Sequence, residues 1–437
     1  MVKVAIIGGG CAGLGAAQLL LKNKQHVVLI DAYERFGGRA WTRLDQDFPF
    51  DLGPQFIQDP EDNPWTAIAS ALNYELLTRD DKASKTFYRM QIEGVWQDSY
   101  GTPGTAKVDK QLEDGYAAAE KLNNAPPIAQ SPGTSADAVL ALGSSQYGSV
   151  AESAEPWQYV AADRARQHEG SGNVLFVKSG LGTLVNAYGQ SLLKNFPDTL
   201  ALRPATVVSA IRLITSENQC RICAGEEVVG QYDYCIVTVP CSAIAGIAFE
   251  PPLTSERTNA LGYVMLGSYK KVAFCPKQMP DAIAENCDYY VYDSALGGCW
   301  QYFRLPTAAQ ALICVASGNF ARQLDGLDDE TVVSKLLSTL NTAYAPQAIA
   351  PAQTPMLTNW SMQPYIRGAY SFTRYDGGNA DDPTALNARL ELGKPHGDGR
   401  ILFAGEATWT KAYGTIQGAF YSGERAATTI LKGIGLL

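Results

Sequence analysis

The sequence is short of histidine, of long apolar runs and of positive charge. Its 437 residues include three histidines (His26, His168, His396) and one Cys-x-x-Cys pair, Cys220 and Cys223, without a second such pair. A structural zinc site takes four ligands of these types, so no metal site is expected. No apolar run approaches the roughly 20 residues of a membrane-spanning helix. The formal net charge of −9 argues against a nucleic-acid partner, because phosphate binding depends on clustered Lys and Arg.

The cysteines and the start of the chain bear on its location. Nine cysteines, an odd number, lie mostly in apolar runs such as CIVTVP and LICVAS, as reduced core residues do in a reducing compartment. No charged segment followed by an apolar one precedes the first predicted strand, so the sequence predicts no secretory signal. We therefore expect a cytoplasmic protein without a membrane partner. The acidic charge is compatible with a cationic substrate, and the oligomeric state is left open, a homodimer included.

The N-terminal segment carries the pattern of a strand, a helix and a second strand. VKVAII and HVVLIDAY are Val/Ile-rich runs suited to strands buried on both faces, and LGAAQLLLKN between them has helical spacing. Gly8, Gly10 and Gly13 form GxGxxG between the first strand and the helix: Gly8 allows the tight turn, Gly10 lets a pyrophosphate approach, and Gly13 lets the helix pack closely. Asp31 ends the second strand, where a carboxylate accepts hydrogen bonds from a ribose. These features predict dinucleotide binding.

The segments ERFGGRAWT and DLG, which follow, favour one dinucleotide over others. Gly37 and Gly38 let the chain pass close to a ligand, and Arg39 is suited to pair with a phosphate. With this GGR followed by DLG, the sequence resembles the flavin-dependent amine oxidases, which include monoamine oxidases, polyamine oxidases and flavin-dependent histone demethylases. The resemblance implies an FAD cofactor. Tyr33 is a departure, because the family usually has Arg there.

The C-terminal segment FAGEATWTKAYGTIQGAF extends the resemblance. Gly405 and Glu406 match the family's Gly-Glu pair beside the ribityl chain of FAD. Thr415 and Ile416, within GTIQGA, match the helix start whose N–H groups face the flavin pyrimidine ring, where a helix N-terminus stabilises negative charge. In ATVVSAIRL, the strand that carries the adenine-side valine in the family, the matching residue is Val207.

Four residues match the family's catalytic positions. GSYKKVAF resembles the strand with the active-site lysine, which is then Lys271, while Lys270 lies on the opposite face; two surface lysines on an edge strand are the alternative. NWSMQPYIRGAYSF places Trp360 and Tyr370 at the flavin face, where ordinary core packing is the alternative. Thr415 takes the place of the second tyrosine of the aromatic cage. Ala369 replaces the cysteine that links to the flavin in monoamine oxidases, which implies noncovalent FAD.

The order of these segments predicts the domain organisation. We expect an α/β fold with a Rossmann-type FAD-binding domain assembled from three segments, residues 1–78, 200–251 and 363–437. Two insertions, residues 79–199 and 252–362, would form a second, α+β domain that binds substrate. Pro126, Pro127 and Pro132 predict a surface loop in the first insertion.

The function implied by the resemblance is FAD-dependent oxidation of a small-molecule amine. A hydride passes from the α-carbon to flavin N5, the imine hydrolyses, and O2 reoxidises the flavin to give H2O2. An L-amino-acid oxidase is the nearest alternative, although Phe56 stands where those enzymes have Arg after LGP, and Arg367 would have to substitute. A carotenoid-type desaturase or porphyrinogen oxidase is not expected to keep the lysine. A non-catalytic flavoprotein with a partner surface near residues 124–150 is the alternative from another class.

Overall fold

A computed structural model describes residues 1–79, 86–92, 95–99, 173–293, 298–373 and 384–437. The predicted loop at Pro126, Pro127 and Pro132 and the partner surface near residues 124–150 lie outside the described residues. Among the helices of the described ranges, none is both long and apolar enough to cross a membrane.

Strands account for most elements. In chain order they are β1 (Lys3–Ile7), β2 (His26–Ile30), β3 (Thr42–Arg43), β4 (Phe50–Asp51), β5 (Ile57–Gln58), β6 (Leu76–Thr78), β7 (Thr86–Ile92), β8 (Val95–Ser99), β9 (Val174–Val177), β10 (Leu200–Arg203), β11 (Ala210–Ile214), β12 (Gln219–Ala224), β13 (Glu227–Tyr232), β14 (Tyr234–Val237), β15 (Ala248–Glu250), β16 (Val264–Leu266), β17 (Tyr269–Phe274), β18 (Asp288–Asp293), β19 (Gly298–Leu305), β20 (Ala308–Ser317), β21 (Met356–Leu357), β22 (Ser371–Thr373) and β23 (Ile401–Phe403).

The α-helices of the described ranges are α1 (Cys11–Lys22), α2 (Pro64–Ala71), α3 (Leu181–Asn195), α4 (Cys241–Ile244), α5 (Ser255–Tyr263), α6 (Gly318–Asp325), α7 (Asp329–Ala343), α8 (Thr384–Leu392) and α9 (Ile416–Gly433). Two short 3-10 helices, Trp360–Met362 and Glu406–Thr408, stand beside the site described below.

A five-stranded parallel sheet forms the first core. Its order is β10-β2-β1-β14-β23, so strands far apart in the sequence are joined side by side. The strands are short Val/Ile-rich runs because both sheet faces are covered, as in other parallel sheets. Helix α9 packs on α1 so closely that a Cβ on Gly423 would lie 1.9 Å from the Ala12 carbonyl oxygen. The first and last helices of the chain therefore hold the two ends of this fold together.

A seven-stranded sheet forms the second core, in the order β21-β17-β20-β19-β18-β7-β8. Its strands pair antiparallel except β18 and β7, which run parallel. Side chains alternate between its faces. On β17, Val272 and Phe274 pack with helices α6 and α7, whereas Lys271 and Ala273 point to the other face. This second face looks towards the parallel sheet and carries one wall of the cavity described below.

Two elements differ from the sequence-based expectations. Val207 was predicted to lie on a strand, but β11 begins only at Ala210, and Val207 lies 40% exposed in the preceding turn. Helix α3, within the predicted first insertion, packs Leu184 and Val185 into the core of the parallel sheet. Both differences arise from tertiary contacts. The residues before β11, Thr206 to Val208, line a cavity, and α3 covers apolar surface of the parallel sheet. Neither contact can be read from the local sequence pattern.

Candidate active site

A cavity of about 780 Å³ lies between the two sheets. The glycine turn after β1, the turn before α9 and the open face of the seven-stranded sheet all line it. It includes every residue that the sequence predicted for the site except Gly13, which lies behind the glycine turn. The structure thus brings residues from the two ends of the sequence to one volume, large enough for a ligand of cofactor size.

The glycine turn has the geometry that close ligand approach requires. A Cβ on Gly13 would lie 1.9 Å from the Gly8 carbonyl oxygen, so α1 could not pack with any larger residue there. Gly8 has φ +113°, a conformation that favours glycine. A Cβ on Gly10 would meet nothing nearer than 3.8 Å and would instead occupy the cavity. The open cradle at Gly10, beside the N-terminus of α1, suits a pyrophosphate.

Asp31, which the sequence predicts for the ribose contact, lines the cavity. Its carboxylate accepts hydrogen bonds from Gly9 N at 2.5 Å and Tyr33 N at 2.7 Å. Burial raises the pKa of this carboxyl, and these two donors partly offset that rise. A carboxylate offers about four acceptor positions, so Asp31 retains capacity for ribose hydroxyls. Tyr33, the departure from the family pattern, also lines the cavity and packs edge-on against Tyr365 with ring centroids 5.9 Å apart.

Arg39 and Glu406 form an ion pair in which the carboxylate is buried and the guanidinium is partly buried. Arg39 Nη1 donates to Glu406 Oε1 at 2.9 Å and to the Ala369 carbonyl at 2.6 Å. Glu406 also accepts from Ser371 N, Ser371 Oγ and Gly414 N. Burial alone would raise the pKa of Glu406, but Arg39, Ser371 and the nearby Arg389 outweigh it and hold the pKa below its usual value.

These donors occupy the acceptor positions of the Glu406 carboxylate. Glu406 therefore acts on a ligand through its neighbours, since it fixes Arg39 and the turn at Gly414; a direct contact of its side chain with the ribityl chain stays a prediction. In the part of the chain that the structure describes, the hydrogen bonds of Arg39 all come from Nη1, so Nε and Nη2 are available for the predicted phosphate contact. A Cβ on Gly405, which has φ +138°, would meet nothing within 4 Å, so the backbone here is open to a ligand.

The DLG segment organises the catalytic side of the cavity. The Asp51 carboxylate accepts from Leu181 N at 3.0 Å and Gly182 N at 3.1 Å, at the N-terminus of α3, where a helix favours negative charge. The Leu52 carbonyl accepts from Trp360 Nε1 at 2.9 Å. The carbonyls on either side of Leu52 accept from Lys271 Nζ, so three consecutive residues fix two of the four predicted catalytic side chains, Trp360 and Lys271.

Lys271 is a buried lysine that lines the cavity. Its Nζ donates to the Asp51 carbonyl at 2.9 Å and the Gly53 carbonyl at 2.7 Å. Burial lowers the pKa of Lys271 to about 8, and the Asp51 charge opposes that fall. Lys270 lies on the opposite face, where its Nζ donates to Asn359 Oδ1 at 2.6 Å and pairs with Asp325 at 3.3 Å. The alternative of two surface lysines on an edge strand is wrong, because both are buried and β17 lies between β20 and β21.

The aromatic cage differs from the sequence-based expectation. Tyr370 lines the cavity as predicted, but Thr415 caps helix α9: its Oγ1 accepts from Gly418 N at 3.0 Å and donates to the Ala412 carbonyl at 2.7 Å. The ring that faces Tyr370 is Tyr269, with centroids 6.1 Å apart. Burial and the Asp288 charge raise the pKa of Tyr269 to about 12, so its phenol stays neutral.

Sequence reasoning missed Tyr269, although a signal was present. Residues two apart on a strand share a face, so Tyr269 had to point the same way as Lys271. It also missed Arg79, Asp288 and Gln301, which line the cavity. These three residues lie in regions where the sequence offered no motif. Among the described residues, no group of three or more His, Cys, Asp or Glu side chains is placed to hold a metal ion.

Comparisons with known proteins agree with this geometry. Residues 158–431 match the family described as flavin-containing amine oxidoreductase, and residues 6–72 match an NAD(P)-binding Rossmann-like domain. Lysine-specific histone demethylase 1B of Mus musculus is 24% identical over 98% of this chain and 52% of its own length. Polyamine oxidase 3 of Oryza sativa subsp. japonica is 24% identical over 97% of this chain and 87% of its own length. The chain spans about half the length of the demethylase-type relatives.

Two solved structures share the fold. Wild-type putrescine oxidase bound to putrescine matches with a TM-score of 0.75 and 19% identity, over 99% of both chains. Cyclohexylamine oxidase from Brevibacterium oxydans IH-35A matches with a TM-score of 0.71 and 18% identity, also over 99% of both chains. The match to the family of flavin-containing amine oxidoreductases covers more than half of this chain, residues 158–431. The chain therefore belongs to this family, whose cofactor is FAD.

Proposed function

We propose that this protein oxidises a small-molecule amine with noncovalently bound FAD and with O2 as electron acceptor. The observation that carries the proposal is the position of Lys271, buried at the cavity with its Nζ held by two backbone carbonyls and its pKa lowered to about 8. Burying a lysine ammonium group costs free energy, so a lysine at this position is unusual without a function. A perturbed pKa inside a cavity is typical of functional sites. Ala369 lines the cavity at the position of the linking cysteine, which supports noncovalent binding.

FAD, when bound, accepts the hydride that leaves the α-carbon of the amine. The residues of the chain position that carbon and adjust the charge around it. Tyr370 and Tyr269, whose rings pack against each other with centroids 6.1 Å apart, both line the cavity and would bound the space in which the amine is held. The N-terminus of α9, at Ile416, supplies partial positive charge where negative charge develops. Lys271, protonated below about pH 8, supplies a proton or a fixed water during reoxidation.

No side-chain base is needed, because the amine reacts in its neutral form and the resulting imine hydrolyses in water. The products are an aldehyde or ketone, a shorter amine or ammonia, and H2O2. We propose further that residues 1–78, 200–251 and 363–437 form the FAD-binding domain. Residues 79–199 and 252–362 then supply the substrate side, apart from α3, which packs with the FAD-binding sheet. A cytoplasmic location completes the proposal.

The test is the stoichiometry of the reaction. The purified FAD-loaded protein is incubated with hexylamine or with L-leucine, and O2 uptake, H2O2 and carbonyl product are measured. The proposal predicts one H2O2 and one aldehyde for each hexylamine consumed. It also predicts that Lys271→Met slows reoxidation by O2 more than reduction by the amine. Turnover without H2O2, as in a desaturase, would contradict it.

The L-amino-acid oxidase alternative has less support. It requires a cation for the carboxylate beside the reacting carbon. Arg367, the candidate from the sequence, is exposed, and its Nε donates to the Pro364 carbonyl. Phe56 packs against Phe176 instead of supplying charge. Turnover of L-leucine but not hexylamine would nevertheless establish this alternative.

A further inference from the structure

The open face of the seven-stranded sheet carries a row of side chains that begins at Lys271. Lys271 on β17 pairs with Val315 on β20, and Val315 pairs with Gln301 on β19. Side chains directly opposite in register lie on one face. Adjacent strands are about 4.8 Å apart, so the Gln301 backbone lies about 10 Å from that of Lys271. Val315 and Gln301 both line the cavity, which therefore extends well beyond the catalytic lysine.

The row ends in a polar cluster. Asp288 on β18 lies two residues from Tyr290, the register partner of Gln301, and so shares its face. Asp288 Oδ1 accepts from Gln301 Nε2 at 3.4 Å, and Asp288 Oδ2 accepts from Arg79 Nη2 at 2.6 Å. The Arg79 and Asp288 side chains are only 14% and 18% exposed. The cavity thus has a largely buried, charge-balanced pair at a distance from the reaction centre.

Arg79 has donor capacity left over. Its Nη2 serves Asp288 and the Asn286 carbonyl, but its Nε is buried and has no partner within the described ranges. A buried N–H without an acceptor costs free energy, and guanidinium has five N–H donors and no acceptor. The Asp288 charge, in contrast, is already matched by Arg79. The cluster is therefore suited to receive an acceptor oxygen and not a second cation, which would lie beside the guanidinium.

We propose that Arg79, Asp288 and Gln301 form a distal substrate subsite that binds a hydrogen-bond acceptor, an amide carbonyl or carboxylate oxygen, at the far end of the amine substrate. This inference rests on the proposed amine oxidation. It also requires a carbon chain between the acceptor and the reacting carbon, because Gln301 lies two strands and Asp288 three strands from Lys271 in the sheet. The carboxylate of an α-amino acid is bonded to the reacting carbon and does not reach this subsite.

The experiment compares four amines of equal chain length, hexylamine, 1,6-diaminohexane, 6-aminohexanamide and 6-aminohexanoate, and repeats the comparison with their eight- and ten-carbon homologues. Each is mixed anaerobically with the FAD-loaded protein, and the rate constant and dissociation constant of flavin reduction are measured. We divide the rate constant of flavin reduction by the dissociation constant of the amine. A hydrogen bond to a charged donor predicts that this quotient is about tenfold or more higher for the amide than for hexylamine. The diamine is expected at or below hexylamine. The aminohexanoate arm decides whether a carbonyl or a carboxylate is the better acceptor.

Variants of Arg79 supply the second test. Arg79→Lys keeps the charge beside Asp288 but removes Nε, so the preference for 6-aminohexanamide over hexylamine is lost. Arg79→Met leaves Asp288 unmatched and shifts the preference towards 1,6-diaminohexane. Arg304→Lys is the matched control, because Arg304 lies on the same sheet and pairs with Glu285 at 3.0 Å but does not line the cavity.

The outcomes separate this inference from the proposed function. Equal reduction by the alkylamine and the amide at every chain length, or a wild-type preference for the diamine, would overturn the subsite while leaving amine oxidation intact. An Arg79→Lys variant that keeps the wild-type preference would also overturn it. If Arg79→Met does not bind FAD, Arg79→Lys decides alone. A protein whose flavin no amine reduces would overturn both proposals.

Discussion

Replacing Lys271 with Met changes how stability depends on pH. The fall in the pKa of Lys271 from 10.5 to about 8 means that keeping it protonated costs the folded protein about 3 kcal/mol, at about 1.4 kcal/mol per tenfold change. The unfolded chain holds this proton up to about pH 10.5, whereas the folded protein releases it near pH 8. Unfolding therefore takes up a proton in this window, and the free energy of unfolding of the wild type rises with pH across it.

In Lys271→Met this rise is absent. Between pH 7 and pH 10 we expect the wild type to gain about 2.5 kcal/mol more stability than the variant. The Asp51 and Gly53 carbonyls lose a donor in the variant, but that loss is the same at both pH values and does not enter the difference. Urea unfolding of the FAD-loaded proteins at pH 7 and pH 10, followed by circular dichroism, measures this difference in unfolding free energy.

Lys270→Met is the matched control, one residue away on the opposite face. It leaves the Asp325 carboxylate without its ion-pair partner, so it should cost about 3 kcal/mol at pH 7. The same pH dependence in wild type and Lys271→Met would refute the reasoning. It would mean that the folded protein holds the Lys271 proton as tightly as the unfolded chain does.

Three further predictions concern the cofactor side. Glu406→Gln should lower the free energy of unfolding by about 3 kcal/mol at pH 7. Because the pKa of Glu406 is lowered in the folded protein, this contribution is complete above pH 4.5 and is lost as the pH falls through the folded-state pKa. The melting curves of the variant and the wild type should therefore converge in acid. Thr415→Ala removes the cap of α9 and should cost about 1 kcal/mol in urea unfolding, while Thr415→Ser should not. Gly10→Ala should leave the apoprotein folded and weaken FAD binding by about tenfold or more, measured by flavin fluorescence, whereas Gly13→Ala should destabilise the fold itself through its contact with Gly8.

Residues whose role depends on local geometry were predictable from the sequence. Gly8, Gly10 and Asp31 were placed at the cavity by the strand-turn-helix pattern, because the same few residues create the turn and line the space beside it. Lys271 was placed by the resemblance of GSYKKVAF to the family's lysine strand, and strand alternation then put Lys270 on the opposite face. The family and the Rossmann-type fold that this pattern predicted are confirmed by the comparisons.

Residues whose role depends on distant partners were not predictable. Thr415 was expected in the cage, but the need of α9 for an N-terminal cap takes its hydroxyl. Glu406 was expected at the ribityl chain, yet its acceptor positions serve Arg39, Ser371 and Gly414. The polar subsite at Arg79 depends on strand order in the seven-stranded sheet, which no single segment encodes.

The most direct test of the account is anaerobic reduction of the bound flavin by a primary amine. The purified yellow protein is mixed with hexylamine without O2, and flavin absorbance is followed by stopped flow, with L-leucine as the comparison substrate. The account predicts that hexylamine bleaches the flavin and that admitted O2 restores its colour with release of H2O2. Bleaching by L-leucine alone, or by neither compound nor any longer amine, would contradict amine oxidation as the function of this cavity.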